Sequence, residues 1–308
     1  MHVTIAAHFC QNLPRLLQLN LLVILWSLTG ILGDMVSLSS APLVFWRTLL
    51  AATCFIAFAF RKKASLSSIS RRHLAFSLLA GSLLGIHWIF FFAAIAVSNI
   101  SVGLAGLAAT SLFTALLKPL SHRTPPNRKE ILFSLIAVAG LLIIVGARTK
   151  VPNAHLGIIY GLLAATLSAS YSLVAERSIN EGLPGPTMMM IQMTMACLTV
   201  FLSIFLLPTF SFQFPSFEDW PILAFLAIAC TFFAFLWYAR LLQHFSAYSI
   251  NLSINLEPVY GMLLASLLFH EHQSLTLLFY LGTFLIVLAN FLNTTRKNLD
   301  NKTEALSS

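Results

Sequence analysis

Charged residues are scarce in this chain, because Asp, Glu, Lys and Arg together make up only 9% of its 308 residues. Soluble globular domains carry about 25% of such residues, so the composition excludes an ordinary soluble domain. Hydrophobic residues account for 58% of the chain, with 26 Phe among them. Most of the chain therefore needs a lipid bilayer as its solvent.

Cysteine and compact catalytic motifs are also rare. The four cysteines stand far apart, without the spacing of a metal site or a disulfide framework. In His270–Glu271–His272 the histidines are two positions apart, whereas a helical metal site needs them four apart. The sequence has no phosphate-binding loop, nucleophile elbow or paired acids. We therefore predict no metal, no cofactor and no catalytic residue.

The net charge of +8 does not indicate a nucleic-acid partner. The basic residues stand between apolar runs, where the positive-inside rule of membrane proteins places them. The predicted partner of this surface is the lipid bilayer, with no nucleic acid. The sequence leaves a monomer and a homodimer both open.

Ten apolar runs have roughly the 18–25 residues that an α-helix needs to cross a bilayer. The sequence thus predicts an all-α membrane protein with ten transmembrane helices. The joins near Ser98 and Gln273 are the tightest, and the polar tail 294–308 is predicted to be disordered. The runs cover approximately 16–33, 41–60, 73–97, 100–119, 130–147, 155–175, 186–207, 219–239, 246–269 and 274–293.

Lysine and arginine predict the orientation. With the N-terminus inside, 15 of the 18 Lys and Arg residues fall in inner segments, and Arg148 and Lys150 alone fall in outer ones. Arg47 lies within a span. This imbalance predicts that both termini, and the tail 294–308, are cytoplasmic, in the inner membrane of the cell.

The chain divides near 148–154 into two halves of five helices, 16–147 and 155–293. Similar features recur in both: a proline near the start of the second helix, Pro42 or Pro186, and an aromatic cluster followed by Ala in the third. Because five is odd, the second half enters the bilayer from the opposite side. Two such halves form an inverted repeat, a common plan for secondary transporters.

The long apolar run 249–272 is interrupted by Asn251, Asn255, Glu257 and Pro258. In a regular helix the two asparagines share one face and Glu257 lies on another. A carboxylate in the hydrocarbon layer costs about 2.5–3.5 kcal/mol, so such groups normally face a bundle interior or a wet cavity. One interpretation is that these residues only join helices; the other is that they line a substrate path.

Other candidate residues each have a structural alternative. Arg47 either extends to the bilayer interface or pairs with a substrate carboxylate or Asp34, and Gln192 takes the similar place in the seventh helix. His87 either packs in the bundle or binds substrate. Aromatic residues either face lipid or form a box for a planar or cationic group. The aromatic candidates are Trp26, Trp88, Phe91, Tyr171, Trp237 and Tyr238.

Short motifs in both halves carry a family resemblance. In order they are Trp26 with Gly30, Pro42 with Arg47, Phe92–Ala93, Gly157 with Gly161, Leu256–Glu257–Pro258–Val259, Glu271 and Gly282. Together they resemble the EamA-type members of the drug/metabolite transporter superfamily, which have ten helices in two EamA repeats. The resemblance covers roughly residues 16–293.

The resemblance implies a metabolite carrier that works by alternating access around a central cavity. Some EamA-type members exchange S-adenosylmethionine for S-adenosylhomocysteine, and this chain is predicted to be similar to them. An amino-acid or other metabolite exporter is the alternative within the family. A polytopic membrane enzyme and a non-transporting scaffold are the alternatives outside it. The first half has Ala109–Thr110 where the second has Glu257–Pro258, so the halves have diverged.

Overall fold

A computed structural model describes residues 13–61, 69–146, 153–269 and 277–307 of the chain. Within these ranges every regular element is a helix. The elements are α1 (Arg15–Asp34), α2 (Ser40–Arg61), α3 (Arg71–Val97), α4 (Ile100–Leu107), α5 (Thr110–His122), α6 (Arg128–Gly146), α7 (Ala154–Asn180), α8 (Gly185–Leu206), α9 (Asp219–Ala227), a π-helical turn (Ile228–Phe233), α10 (Ala234–Leu241), α11 (Ala247–Ile254), α12 (Glu257–Phe269) and α13 (Leu277–Ser307).

Eight segments of the described chain are long and apolar enough to cross a membrane. Two of these segments combine neighbouring elements. One consists of α4 with α5, and the other of α9 with the π turn and α10. The two remaining predicted spans are α6, of 19 residues, and the broken pair α11–α12. The all-α membrane fold predicted from the sequence is confirmed.

Equal helix lengths mark the internal repeat. The second helices of the two halves, α2 and α8, both have 22 residues. The fourth span of each half is broken in the same way: eight helical residues, a break of two, and then 13 more. This pattern makes Thr110 the equivalent of Glu257, whereas the sequence comparison sets Ala109 against it, one residue earlier. The match of α2 with α8 makes Arg47 the equivalent of Gln192.

The contacts between helices follow the symmetry of the two repeats. Equivalent helices pack on each other in the pairs α2 with α8 and α6 with α13, as a twofold axis requires. Other contacts occur in exchanged pairs. For example, α4 and α5 pack on α7, while α11 and α12 pack on α1. The two halves therefore enclose the centre of the molecule between them, as an inverted repeat does.

Glycines allow the closest helix approaches, which is the structural role that small residues have in membrane bundles. A Cβ on Gly161 of α7 would lie 2.8 Å from the Cα of Gly106 in α4. A Cβ on Gly85 of α3 would lie 2.9 Å from the carbonyl oxygen of Ala196 in α8. In both places the obstacle is backbone, so the contact cannot relax by a change of rotamer.

Two predicted details have different outcomes in the structure. The join at Ser98 and Asn99 is a two-residue turn, after which the Asn99 side chain accepts a hydrogen bond from the Val102 N–H and caps α4. The tail after Asn293, predicted to be disordered, is helical to Ser307. Since α13 is already formed, extending it costs no new nucleation, and 294–307 contains no Pro or Gly. The join near Gln273 lies outside the described residues.

We expect Gly161→Ala to destabilise the protein by about 1–3 kcal/mol, because the added methyl group meets the backbone of α4. Gly30→Ala is the matched control, since its Cβ would find its nearest neighbour, Ile100 Cγ2, at 3.6 Å. Both substitutions raise helix propensity equally. Thermal unfolding in detergent should separate the two variants. Equal melting temperatures would contradict the close approach of α4 and α7.

Candidate functional site

A cavity of ≈ 80 Å³ lies at the centre of the bundle, between the two halves. Helices from both repeats contribute to its wall. The lining residues are Trp26, Thr29, Arg47, Leu84, His87, Trp88, Phe91, Leu107, Thr110, Ser168, Tyr171, Ser172, Phe235, Tyr238, Asn251, Ile254 and Glu257. Nine of the eleven candidate residues are among them, all except Asn255 and Trp237.

The two broken spans reach this cavity at their breaks. At the break between α11 and α12, the Asn255 and Leu256 N–H groups donate to carbonyls only three residues back, those of Leu252 and Ser253. The Ala109 N–H does the same with the Gly106 carbonyl between α4 and α5. Such tight turns take some carbonyls out of the regular helical ladder. Irregular backbone at membrane depth is tolerated where it lines a cavity.

Arg47 of α2 lies deep in the bundle and is only 1% exposed. Its Nε donates to Thr231 Oγ1 at 2.7 Å, and its guanidinium carbon lies 4.5 Å from the centre of the Trp88 ring. The interpretation that Arg47 extends to the bilayer interface is therefore wrong. The reason is long-range: Thr231 lies in the π turn of the other repeat. Nη1 of Arg47 is buried and has no hydrogen-bond partner in the described chain.

The π turn Ile228–Phe233 shapes the wall beside Arg47. Its wider winding allows the Cys230 carbonyl to accept from Trp26 Nε1 at 3.2 Å, and Arg47 Nη2 lies 3.5 Å from the same oxygen. Thr231 Oγ1 donates in turn to the Leu226 carbonyl at 2.7 Å. π bulges are often found at functional sites because they expose backbone groups in this way. The sequence had no signal for this turn.

Glu257 is the first residue of α12 and is 8% exposed. Its carboxyl group lines the cavity and interacts electrostatically with Arg47 across it. The two groups do not form an ion pair, and Glu257 makes no side-chain hydrogen bond within the described ranges. The cavity therefore holds one basic and one acidic side chain, one from each repeat, with a gap between them.

Asn251 and Asn255 lie one turn apart and both turn to α5. Asn251 lines the cavity, where its amide donates to Thr114 Oγ1 at 2.8 Å and to Ser172 Oγ at 2.7 Å. The Asn255 amide donates to Ser111 Oγ at 3.1 Å, three residues from Thr114, beside a separate small hollow. Of the two asparagines, Asn251 therefore lines the central cavity and Asn255 does not. Beyond the break, Glu257 lies at the cavity together with Asn251.

Aromatic rings form one wall of the cavity. Trp26 lies 5.7 Å from Tyr238, and Tyr171 stacks on Tyr238 at 6.1 Å between ring centres. The hydroxyl groups of both tyrosines are buried without a hydrogen-bond partner in the described chain. Buried polar atoms normally have a partner, so a water or a solute is the partner that these two require. Trp237 is not part of this wall, because its indole N–H donates to Gln18 Oε1 at 3.1 Å.

His87 and Phe91 of α3 also face the cavity and stack on each other at 6.3 Å. Nδ1 of His87 lies 2.8 Å from the Ala164 carbonyl oxygen. A ring nitrogen next to a carbonyl must donate, so this contact holds the proton on Nδ1 and leaves Nε2 as an acceptor. His87 thus joins α3 to α7 and also lines the cavity, and its role in substrate binding stays a prediction.

Several lining residues were missed by the sequence prediction. Ser168 and Ser172 lie one turn apart in α7, and that spacing was a signal that could have been read. Thr110 was identifiable only as the equivalent of Glu257 in the first repeat. Thr29 and Leu84 carry no signal of their own. His270–Glu271–His272 and Glu271 lie outside the described residues, and elsewhere no group of three or more His, Cys, Asp or Glu could hold a metal.

Polar contacts close the bundle at both ends of the cavity. At the end of α5 and α7, His122 Nε2 lies 3.6 Å from Glu176 Oε2, both being largely buried. At the same end, Glu181 accepts from Arg177 Nε at 3.0 Å and from Arg72 Nη2 at 2.7 Å. These contacts join the α7–α8 turn to the start of α3.

At the opposite end, the equivalent contact joins a carboxylate to uncharged donors. Asp219, at the start of α9, accepts from Ser37 Oγ at 2.5 Å and from the Ser37 N–H at 2.9 Å. Ser37 lies in the α1–α2 turn, the equivalent of the α7–α8 turn that holds Glu181. One end is therefore closed by ion pairs between side chains, and the other by a carboxylate bound to a hydroxyl and an amide.

The model of the EamA-like transporter family matches residues 15–146 and 155–295, which together are most of the chain. The chain belongs to the EamA-like transporter family. The two matched segments correspond to the two five-span halves, and the family is one of transporters that work in membranes. The EamA resemblance predicted from the sequence is confirmed.

A solved structure described only as "Crystal structure of protein" has the same fold. It superposes with a TM-score of 0.71 at 18% sequence identity, covering 90% of this chain and 95% of that chain. At this identity the likeness shows the fold alone. No curated protein matches this chain.

The Glu181 contacts should weaken in acid. The pKa of Glu181 is lowered below 4.5, mainly by its hydrogen bond from Arg177 and further by the charges of Arg72, Arg177 and His73. A lowered carboxyl pKa means that the contact stabilises above the ordinary pKa and is lost as pH falls through the lowered one. We expect spin labels at Ala75 and Asn180 to report a wider distance distribution below about pH 4.

Glu181→Gln should give the wider distribution already at pH 7, since it removes the charge that both arginines bind. Glu218→Gln is the control, because Glu218 is exposed and lies at the opposite end of the bundle. A distribution at pH 7 that is the same in Glu181→Gln as in the unmodified protein would contradict the role of these contacts in closing this end.

Proposed function

We propose that the chain is a secondary transporter of a small zwitterionic or cationic metabolite, moved by alternating access through the central cavity. The observation that carries this proposal is the separation of Arg47 and Glu257. Two opposite charges, one from each repeat, face the same cavity within the bundle and do not form an ion pair with each other. A solute with an ammonium and a carboxylate would bridge them.

Burying the charges of Arg47 and Glu257 inside the bundle costs free energy. An ionisable residue inside a membrane protein is expensive and usually serves a transport path. If Arg47 and Glu257 were there only for stability, direct contact would be expected, since an unpaired buried charge costs several kcal/mol. Nη1 of Arg47 is buried without a hydrogen-bond partner in the described chain, so burying the guanidinium carries part of this cost. A bound carboxylate would occupy Nη1, and a bound amine would pair with Glu257.

The polar and aromatic groups around the charges suit the rest of such a solute. Asn251, Thr110 and Ser168 offer hydrogen bonds, while Trp26 and Tyr238 offer ring faces to a positive centre. Cation–π contact with such rings contributes about 0.5–2 kcal/mol. A purely apolar or strongly anionic substrate would leave Glu257 without a partner.

The cavity volume bears on substrate size. About 10–15 Å³ of this kind of space is the least that holds one water, so ≈ 80 Å³ has room for a few waters at most. This small space favours an amino-acid-sized solute over a larger one. S-adenosylmethionine, exchanged for S-adenosylhomocysteine, meets the charge requirement, but its nucleoside would need a wider cavity. The amino-acid-like substrate is therefore our first candidate and S-adenosylmethionine the second.

The distribution of lysine and arginine supports a cytoplasmic location for both termini. On that orientation the Glu181 and His122–Glu176 contacts close the inner end, and the Asp219–Ser37 contact closes the outer end. In this scheme the protein alternates between inward- and outward-open states. A substrate drives such a change only by binding the states with different affinity.

We expect Glu257→Gln to weaken transport of amine-bearing substrates by about 30-fold or more, because about 2 kcal/mol is lost when one charge partner is removed. The measurement is uptake of labelled amino acids and of S-adenosylmethionine into vesicles containing the purified protein. Glu218→Gln, at an exposed position outside the cavity, should transport normally. Unchanged uptake by Glu257→Gln would remove Glu257 from the site.

Arg47→Gln should separate the two ends of the substrate. We expect it to lose affinity for zwitterions, while inhibition by a simple alkylamine, which has no carboxylate, stays within about twofold of the unmodified protein. Inhibition of uptake by matched amine and zwitterion pairs measures this difference. If both inhibitors weaken equally, Arg47 supports the fold rather than the carboxylate.

The same vesicles distinguish the mechanisms and the alternative class. Acceleration by substrate loaded inside indicates exchange, whereas collapse with a protonophore indicates proton coupling. Chemical conversion of a solute without net uptake would instead favour a polytopic membrane enzyme. If no solute of any tested class crosses under any gradient, the transporter proposal fails.

A further inference from the structure

An apolar groove opens on the outer surface of the bundle, away from the central cavity. It lies between α2, α3 and α8 and holds ≈ 610 Å³, which is in the range of sites for drug-sized ligands. Its wall is almost entirely hydrocarbon, with Ile56, Phe60, Leu74, Leu78, Ile191 and Leu198 among the lining residues. Several of these side chains are well exposed, Phe60 at 79% and Leu198 at 47%.

The equivalent place in the other repeat is filled by the chain itself. There Phe201 and Phe205 of α8 take the positions of Ile56 and Phe60, and Trp46 of α2 takes that of Ile191. The α8–α9 connection adds Phe212 and Phe214, whose rings lie 6.0 and 5.7 Å from Trp46. Phe205 stacks on Phe212 at 6.0 Å. A packed aromatic cluster thus occupies this second groove.

The α2–α3 connection has no such residues to offer. Its sequence, KKASLSSIS over 62–70, contains no aromatic residue, whereas the α8–α9 connection contains four Phe. Among the described residues, no equivalent aromatic cluster fills the first groove. In a bilayer an open hydrocarbon groove of this depth is filled by lipid tails.

The mouth of the groove is basic. Arg61 follows Phe60 at the end of α2, and Arg71 begins α3 beside the groove residue Leu74. Both arginines are exposed, and neither forms an ion pair with another residue of the described chain. Lys62 and Lys63 add two more positive charges to this connection in the sequence. Basic clusters at a bilayer surface attract anionic headgroups.

We propose that this groove is a binding site for an anionic phospholipid, with an acyl chain between α2, α3 and α8 and the phosphate at Arg61 and Arg71. The site is separate from the central cavity, so it does not depend on the proposed transport function. The acyl chain thus fills the space between α2 and α8 in this repeat, as the aromatic side chains fill the equivalent space in the other repeat.

Native mass spectrometry of the full-length protein in detergent tests this site, with phosphatidylglycerol and phosphatidylcholine as the probes. We expect phosphatidylglycerol to bind more tightly, and Arg61→Gln with Arg71→Gln to lose about fivefold in affinity for each arginine removed. Arg128→Gln, an exposed arginine at the start of α6, is the control for nonspecific charge.

Leu198→Trp tests whether an acyl chain binds in the groove, because the larger ring fills the groove from an exposed position. Leu202→Trp, one turn further along α8 and also exposed at 43%, lies outside the groove and is the matched control. We expect only Leu198→Trp to reduce binding of both lipids. Equal binding of the two lipids, or a phosphatidylglycerol preference that survives loss of both arginines, would overturn the headgroup site. Equal effects of the two tryptophans would overturn the groove.

Discussion

Inside a bilayer every backbone N–H and C=O needs a partner from the protein or from trapped water. This constraint decides where a substrate site can be built. The helices of this protein keep regular hydrogen bonds over most of their length, and at the break in the fourth span of each repeat they change to bonds between residues three apart. Irregular backbone of this kind is tolerated where it lines a cavity, and residues on both sides of each break line the central one. The cavity, its polar lining and the position of Glu257 follow from that requirement.

The divergence between the repeats has a charge consequence. In a perfectly symmetric dimer of repeats, any ionisable residue in the cavity would appear twice, and two like charges would repel each other at low dielectric. Here Arg47 has Gln192 as its equivalent, and Glu257 has Thr110. Each repeat therefore contributes one charge, and the two signs differ. The cavity can be neutral overall and still offer distinct ends to a polar solute.

Much of the fold was predictable from the sequence, because apolar run length and the Lys and Arg pattern report on single helices. The cavity was predictable only in part. Glu257 and Asn251 stood out as polar residues in an apolar run, and both line the cavity. Arg47 was misjudged because its partner Thr231 lies 184 residues away. Asn255 was expected at the central cavity but lies beside a separate small hollow, and no local pattern distinguishes it from Asn251 one turn away.

Packing also decided cases that residue type left open. Trp237 and Tyr238 are neighbours of the same chemical class, yet the α10 helix turns Tyr238 to the cavity and Trp237 to Gln18. The extension of α13 to Ser307 shows the same limit, since a polar composition suggests disorder, while a helix that is already nucleated can continue through it.

The π turn in the eighth span has a consequence for how related chains differ in length. A turn of this kind accommodates one residue more than the α-helix around it, so deleting one residue from Ile228–Phe233 would return the span to regular winding. The wider winding takes up this extra residue, so the helix on either side would keep its orientation after the deletion. Relatives that align with a single-residue gap here would thus lose the carbonyl that holds Trp26 and Arg47, while the rest of this wall stays in place.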